Sequence, residues 1–293
     1  MQKSSGILAV AAALVLAVPA GAQQFVQMPD GTWANDITPD GSIVVGNSPS
    51  GGFIWRWRED PAPTYVVGSN DITAVSDDGT VFVGCIDDPG GLGEVAARWT
   101  ESTGWVPLGW LPNALSCPSR SNAYDVSGDG SKVVGLSWDG CSGRGFIWDA
   151  QNGMQELQPL ANGGNRASVI SPDGKVVAGF AQGNFSRTPA YWNALDLSGS
   201  VLDANFQGEV YGLNSNGDIS VGTNYFTGGY YSAFVRTPGD GLVDLGTLNS
   251  GYAAAATDIS ADGGVIAAVG SVPLSRIAPP CPRQSRQLAP PRP

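Results

Sequence analysis

One short phrase recurs six times between residues 34 and 270, and it limits what this chain can become. The phrase is an apolar β-branched residue or Leu, then Ser, Thr or Asn, then any residue, then Asp or Asn, then Gly. Its copies are Ile37-Thr-Pro-Asp-Gly41, Val75-Ser-Asp-Asp-Gly79, Val126-Ser-Gly-Asp-Gly130, Ile170-Ser-Pro-Asp-Gly174, Leu213-Asn-Ser-Asn-Gly217 and Ile259-Ser-Ala-Asp-Gly263. Successive turn glycines lie 38, 51, 44, 43 and 46 residues apart. An internal period of about 40–50 residues is the mark of propellers and solenoids.

The phrase carries turn chemistry. Asp and Asn close tight turns with their short side chains, and Gly takes the left-handed position that a Cβ penalises. Gly41, Gly79, Gly130, Gly174, Gly217 and Gly263 are therefore expected to be structural. A calcium loop is the competing reading, but it needs oxygen ligands at alternate positions. Asp36 and Asp40 are four apart, and the first Asp has no counterpart ahead of Gly174 or Gly217. No metal and no cofactor is expected.

Each turn leads into a second apolar run: Ile43-Val-Val-Gly46, Val81-Phe-Val-Gly84, Lys132-Val-Val-Gly135, Val176-Val-Ala-Gly179, Ile219-Ser-Val-Gly222 and Val265-Ile-Ala-Ala268. Runs this continuous predict strands buried on both faces, and a Gly at a fixed slot suits a close backbone approach. A third run carries an aromatic anchor: Gly52-Phe-Ile-Trp55, Ala97-Arg-Trp99, Gly145-Phe-Ile-Trp148, Pro189-Ala-Tyr-Trp192 and Ala233-Phe-Val-Arg236. One Trp per repeat in one strand slot reads as core. A fourth run appears as Trp105-Val-Pro-Leu108, Met154-Gln-Glu-Leu157 and Leu242-Val-Asp-Leu245. Four strands in about 44 residues make one blade. The fold expected is an all-β propeller of about six four-stranded blades, the last incomplete. Phe25-Val-Gln-Met28 resembles the fourth-strand phrase and is expected to complete the last blade.

The chain divides into three parts. Residues 1–22 read as a signal peptide: Lys3, the apolar run Ile7–Val18 and an Ala20-Gly-Ala22 cleavage site. Residues 23–276 are the repeat domain. Residues 277–293 hold 6 Pro and 3 Arg with no Gly, Asp or Glu. That segment reads as a disordered tail, and a shifted reading frame or truncated gene accounts for such a switch. The expected location is secreted or periplasmic, with no membrane span. Residues 23–275 carry 10 Lys/Arg against 26 Asp/Glu, an acidic balance that argues against nucleic acid as a partner.

The 293-residue chain has no histidine. This excludes Ser–His and Cys–His catalysis and histidine-type zinc sites, leaving carboxylate chemistry of the glycosidase kind. Asp87, Asp88 and Glu94 share one loop and are the best carboxylates for it. No catalytic constellation stands out, so the chain is expected not to be an enzyme. Of the cysteines Cys85, Cys117, Cys141 and Cys281, a Cys117–Cys141 bridge is preferred and Cys85–Cys117 competes.

The order Ile-Ser-x-Asp-Gly, Val-Val-Gly, Ala-Phe-x-Trp, Gly-x-x-x-Asp-Leu-Gly-Thr-Leu resembles the HAF-repeat family of extracellular bacterial proteins, most clearly over Ser232–Leu248. The chain departs from it in lacking the His of the name-giving tripeptide, in Arg236 for Trp and in Ala268 for Gly. Ser171-Pro-Asp-Gly-Lys175 is also similar to TolB-type propeller repeats. The resemblance implies secretion and a propeller-like fold, with no established activity. The function expected is a monomeric binding or surface-interaction module, its partner a glycan or protein at the cell surface. A glycan-active hydrolase or lyase and a purely structural envelope or matrix component are the alternatives. The loops after the second strands carry aromatics, and Trp138, Phe185, Tyr225 and Phe226 are the expected ligand contacts.

Overall fold

The computed structural model describes residues 27–112, 119–138, 142–183, 186–226, 230–247 and 253–270. Every regular element among them is a β-strand. Blade one is β1 (Trp33–Ile37), β2 (Val44–Ser48), β3 (Gly51–Trp55) and β4 (Thr64–Tyr65). Blade two is β5 (Ser69–Val75), β6 (Phe82–Asp87), β7 (Glu94–Thr100) and β8 (Gly104–Gly109). Blade three is β9 (Arg120–Val126), β10 (Lys132–Trp138), β11 (Gly143–Asp149) and β12 (Gly153–Glu156). Blade four is β13 (Asn165–Ile170), β14 (Val176–Gln182), β15 (Arg187–Asn193) and β16 (Gly199–Val201). Blade five is β17 (Gly208–Leu213), β18 (Ser220–Phe226), β19 (Tyr230–Thr237) and β20 (Gly241–Gly246). The sixth repeat contributes β21 (Ala254–Ile259) and β22 (Ile266–Gly270).

Each blade is an antiparallel meander in sequence order. The first strands pack one against the next, β1 on β5, β5 on β9, and so on to β21, so they form the inner wall of a propeller. Five blades have four strands, and this corrects the expectation of about six. The sixth repeat forms a two-stranded sheet, and no third strand joins β22 among the described residues. Its sequence explains this, because the aromatic third-strand phrase of the other repeats never follows Ala268. Gln27 and Met28 are not in a strand, and Phe25 and Val26 lie outside the described residues, as do residues 1–22 and 277–293.

The recurring turns are alike in detail. In blade one the Gly41 amide donates to Thr38 O at 2.7 Å, and the Thr38 amide donates to Ile43 O at 3.0 Å. The Thr38 hydroxyl donates to Asp40 Oδ1 at 2.7 Å and accepts from the Ile43 amide at 3.0 Å. Ser76, Ser127, Ser171 and Ser260 repeat this pair of bonds. Asn214 uses its side-chain amide instead, accepting from the Ile219 amide through Oδ1 but donating through Nδ2 to Asp218 Oδ1. The turn carboxylates are thus engaged by their own loops. The hydroxyls hold Asp40 down at about 2 and keep Asp78, Asp129 and Asp262 below the usual carboxylate range. All six turn glycines have φ between +64° and +75°.

The turns also lock blade to blade. The Asp77 amide donates to Gly128 O, the Gly128 amide to Pro172 O, the Asp173 amide to Ser215 O and the Ser215 amide to Ala261 O. A second lock lies at the start of the first strands. Ser69 Oγ accepts from the Gly52 amide, Ser121 Oγ from the Ala96 amide and Asn165 Oδ1 from the Gly145 amide, each bond reaching back to the preceding blade's third strand.

Every first strand carries a β-bulge at one slot. The register slips between Ala34 and Asp36, Ile72 and Ala74, Ala167 and Val169, Val210 and Gly212, and Ala256 and Asp258, and likewise opposite Val134 and Gly135. The extra residues are Asn35, Thr73, Tyr124, Ser168, Tyr211 and Thr257, all at least partly open to solvent. The bulge accounts for the glycine of the second strand. A Cβ at Gly84, Gly135, Gly179 or Gly222 would overlap the carbonyl oxygen of Asp71, Asn122, Arg166 or Glu209. The approaching backbone is the blade's own bulged first strand.

Between blades the faces are apolar. Val133, Phe146, Ala123, Val81 and Val83 bind blade three to blade two. Trp192, Val177, Ala190, Ile147 and Leu157 bind blade four to blade three. The strand-three tryptophans are core residues in degree: Trp192 and Trp55 are buried, while Trp99 and Trp148 are half-buried against the core. Arg236, in the Trp slot of blade five, donates instead to Asp218 O at 3.0 Å. Cys85 lies within β6 rather than after it, as a buried free thiol whose pKa burial pushes up. Cys117 and Cys141 lie outside the described residues.

Candidate functional site

The inner strands present two different ends. At the turn end, residues from all six repeats line a cavity of about 720 Å³. Its carboxylates are Asp36, Asp77, Asp125, Asp258 and Asp262. Asp36 accepts from the amides of Ile37 and Val75, and Asp125 from those of Val126 and Ile170, so each ties its blade to the next. Loss of solvent nonetheless raises Asp36 to about 6 and holds Asp125 well above the usual range, with mutual repulsion between these carboxylates adding to it. This end is a set of inter-blade latches.

The opposite end has different chemistry. The slot eight residues before the turn glycine reads Trp33, Asp71, Asn122, Arg166, Glu209 and Ala255 around the propeller. Adjacent blades four and five therefore place an arginine beside a glutamate. Glu209 is fully buried and pairs with Arg166 through Oε1 and with Arg187, the first residue of β15, through Oε2 at 3.1 Å. The Ser168 hydroxyl donates to Glu209 Oε1 at 2.7 Å, and Arg166 Nε donates to Ser168 Oγ at 3.2 Å. Burial alone would lower the Arg166 guanidinium, and Glu209 outweighs it so that the group stays charged. The side chains of Arg166 and Arg187 remain 25% and 42% exposed.

Aromatic rings surround the arginines. Arg166 lies 5.3 Å from the Tyr124 ring centre and 5.1 Å from that of Phe180, and Arg187 lies 4.4 Å from Phe180. Such stacking fixes a guanidinium while leaving its edge free. On the other side of Glu209, Tyr211 shares a hydrogen bond of 3.1 Å with Tyr225, whose ring meets Tyr231 edge-on at 5.3 Å. Burial raises the Tyr124 phenol, and burial with the Tyr225 hydrogen bond raises that of Tyr211, so both are neutral donors. Tyr211 and Tyr231 then wall a cavity of about 390 Å³ between blade five and the sixth repeat. Its remaining wall includes Thr223, Ala254, Val269 and Gly270.

The sequence-expected contacts divide. Tyr225 belongs to this cluster. Trp138 ends β10, 38% exposed, with its indole against Gly143 of its own hairpin. Phe226 is the last residue of β18, and Phe185 lies outside the described residues. The arginines, Glu209, Tyr124 and Tyr211 were not among the expected contacts. The signal for them is a charge of each sign at the same repeat slot of an otherwise apolar inner strand. Of the loop carboxylates, Asp87 and Glu94 are direct cross-strand neighbours, and Asp88 accepts from the Leu92 amide within its own loop. Among the described residues no group of acidic or cysteine side chains is arranged to hold a metal, and no helix is long and apolar enough to cross a membrane.

This architecture is that of a β-propeller with four-stranded antiparallel blades. No protein-family model matches the sequence, and no curated protein matches it. Solved structures do match. A structure assigned as TolB from Agrobacterium tumefaciens is similar at 17% identity and TM-score 0.56, over 81% of this chain and 89% of that one. TolB from Acinetobacter baumannii is similar at 14% identity and TM-score 0.50, over 74% of this chain and 54% of that one. An oligogalacturonate lyase in complex with manganese is similar at 14% identity and TM-score 0.53, over 81% of this chain and 70% of that one. At these identities the likeness is one of fold.

Proposed function

We propose that this chain is exported and acts as a binding module, taking its ligand at the end of the propeller opposite the repeated turns. One observation carries the reading: two partly exposed guanidiniums are fixed on a fully buried Glu209 and flanked by tyrosine and phenylalanine rings. A buried charge is tolerated when it is paired and hydrogen-bonded, and here that arrangement aims donors outward. Glu209 accepts from three donors, which suits a fixed anchor more than a mobile general base. The HAF-repeat resemblance and the export-type leader at residues 1–22 agree with a role outside the cytoplasm, and the propeller likeness to TolB structures is compatible with it.

The test is a thermal-shift panel of glycans, peptidoglycan fragments and peptides on the exported protein. A ligand at 100 times its Kd stabilises a reversible fold by about 2.7 kcal/mol. The expected result is a shift that Arg187→Ala and Tyr211→Ala each remove. A shift that survives both substitutions, or an N-terminus that begins at Met1 in exported material, overturns the reading.

A further inference from the structure

The binding role above leaves the ligand's chemistry open, and the following rests on that role. We infer that the ligand is an acidic oligosaccharide, with one uronate carboxylate on the Arg166–Arg187 edge and a neighbouring sugar ring in the cavity under Tyr211 and Tyr231. Two observations converge on it. First, Arg166 and Arg187 place two cations on one buried carboxylate, so the cluster carries one uncompensated positive charge. It does so in a chain of net charge −11. A guanidinium edge of this kind takes a carboxylate bidentately.

Second, the neighbouring cavity has aromatic walls and a floor of small residues. Tyr211 belongs to both halves, beside Glu209 on one strand and lining the cavity. Tyrosine faces cover the C–H face of a pyranose, and their hydroxyls supply donors at its rim. An acidic peptide satisfies the arginines but offers no pyranose ring to the tyrosine faces.

The experiment is titration calorimetry of the full chain with trigalacturonate, its methyl ester, the neutral galactose trisaccharide and triglutamate. Trigalacturonate is expected to bind, and more weakly as salt rises. The methyl ester and the Arg187→Ala variant are each expected to weaken binding about tenfold or more, the worth of a charged hydrogen bond. Arg187→Lys keeps the charge but loses the fork, and should fall between. Tyr231→Ala, which removes a cavity wall away from the arginines, should weaken both acid and ester by about fivefold. Absence of trigalacturonate binding overturns the inference, as does an ester that binds equally, a Tyr231→Ala variant that binds normally, or triglutamate binding more tightly. If another ligand binds and Arg187→Ala abolishes it, the binding role stands and only the ligand class falls. If the wider panel also fails, both fall.

Discussion

Three glycines of blade three separate two physical reasons for having no side chain. Gly153 has φ +68° and nothing within 4 Å of a built Cβ, so only its backbone conformation resists substitution. Gly135 has an ordinary φ, but a Cβ there would overlap Asn122 O and stand 2.9 Å from the Phe146 ring. Gly130 combines both, with φ +69° and Val81 Cγ2 at 2.5 Å. The left-handed conformation costs a residue with a Cβ about 1–2 kcal/mol. Replacing glycine returns about 0.4–1 kcal/mol by restricting the unfolded chain. Gly153→Ala should therefore destabilise by about 0.5–1 kcal/mol. Overpacking costs about 1–3 kcal/mol, and the upper end applies at Gly135 because backbone lies on one side and a buried ring on the other. Gly135→Ala should lose about 2–3 kcal/mol, and Gly130→Ala at least as much. At about 2–4 °C per kcal/mol for a domain of this size, the melting temperatures fall by about 1–4 °C for Gly153→Ala and about 4–12 °C for the other two. Urea denaturation followed by tryptophan fluorescence gives the free energies directly. A Gly135→Ala variant no less stable than Gly153→Ala would refute the steric account of the second-strand slot. The sixth repeat carries Ala268 at that slot although β21 has the same bulge, and among the described residues no third strand lies beside it.

The two kinds of aspartate give opposite pH dependences. Asp36 is raised to about 6 and Asp125 well above the usual carboxylate range, so the folded state holds their protons more tightly; the stability they contribute is full below about pH 3.9, and the Asp36 share is lost as pH rises through about 6. The turn aspartates, with Asp40 lowered to about 2, contribute stability above about pH 3.9 that is lost as pH falls towards 2. Melting temperature should therefore be higher at pH 5 than at pH 7.5, and Asp36→Asn should shrink that difference; an unchanged difference would show that the latches do not titrate. At the second inter-blade lock, Asn165→Ala leaves the buried Gly145 amide without its acceptor and should cost about 1–3 kcal/mol. Asn165→Ser should be milder, because Ser69 and Ser121 make the same bond in other blades, and equal losses in denaturation would sink the equivalence.

The turns were legible because their chemistry is local. Ser, Asp and Gly close the loop within six residues, and the sequence shows all of them. The strands could be read because their apolar runs are bounded by those turns. The cause of the second-strand glycine was not legible, since it depends on a bulge that leaves no mark in its own strand. Blade completeness also escaped a count of phrases: a turn and two strands recur six times, but among the described residues the third and fourth strands form in five repeats. At the candidate site, Tyr225 was found because aromatics follow the apolar run of its second strand. Arg166 and Glu209 were missed because they lie 43 residues apart and meet only when the repeats are written in register.

The bulge residues have a consequence for how such a propeller changes its use. Asn35, Thr73, Tyr124, Ser168, Tyr211 and Thr257 have no opposite number in the ladder, so their side chains do not set the register of any blade. Four different residue types already occupy the six positions on one unchanging frame. Mutation there rewrites what the inner wall displays without shifting any strand's register, and it is constrained where Asn35, Thr73 and Ser168 bond to the next blade.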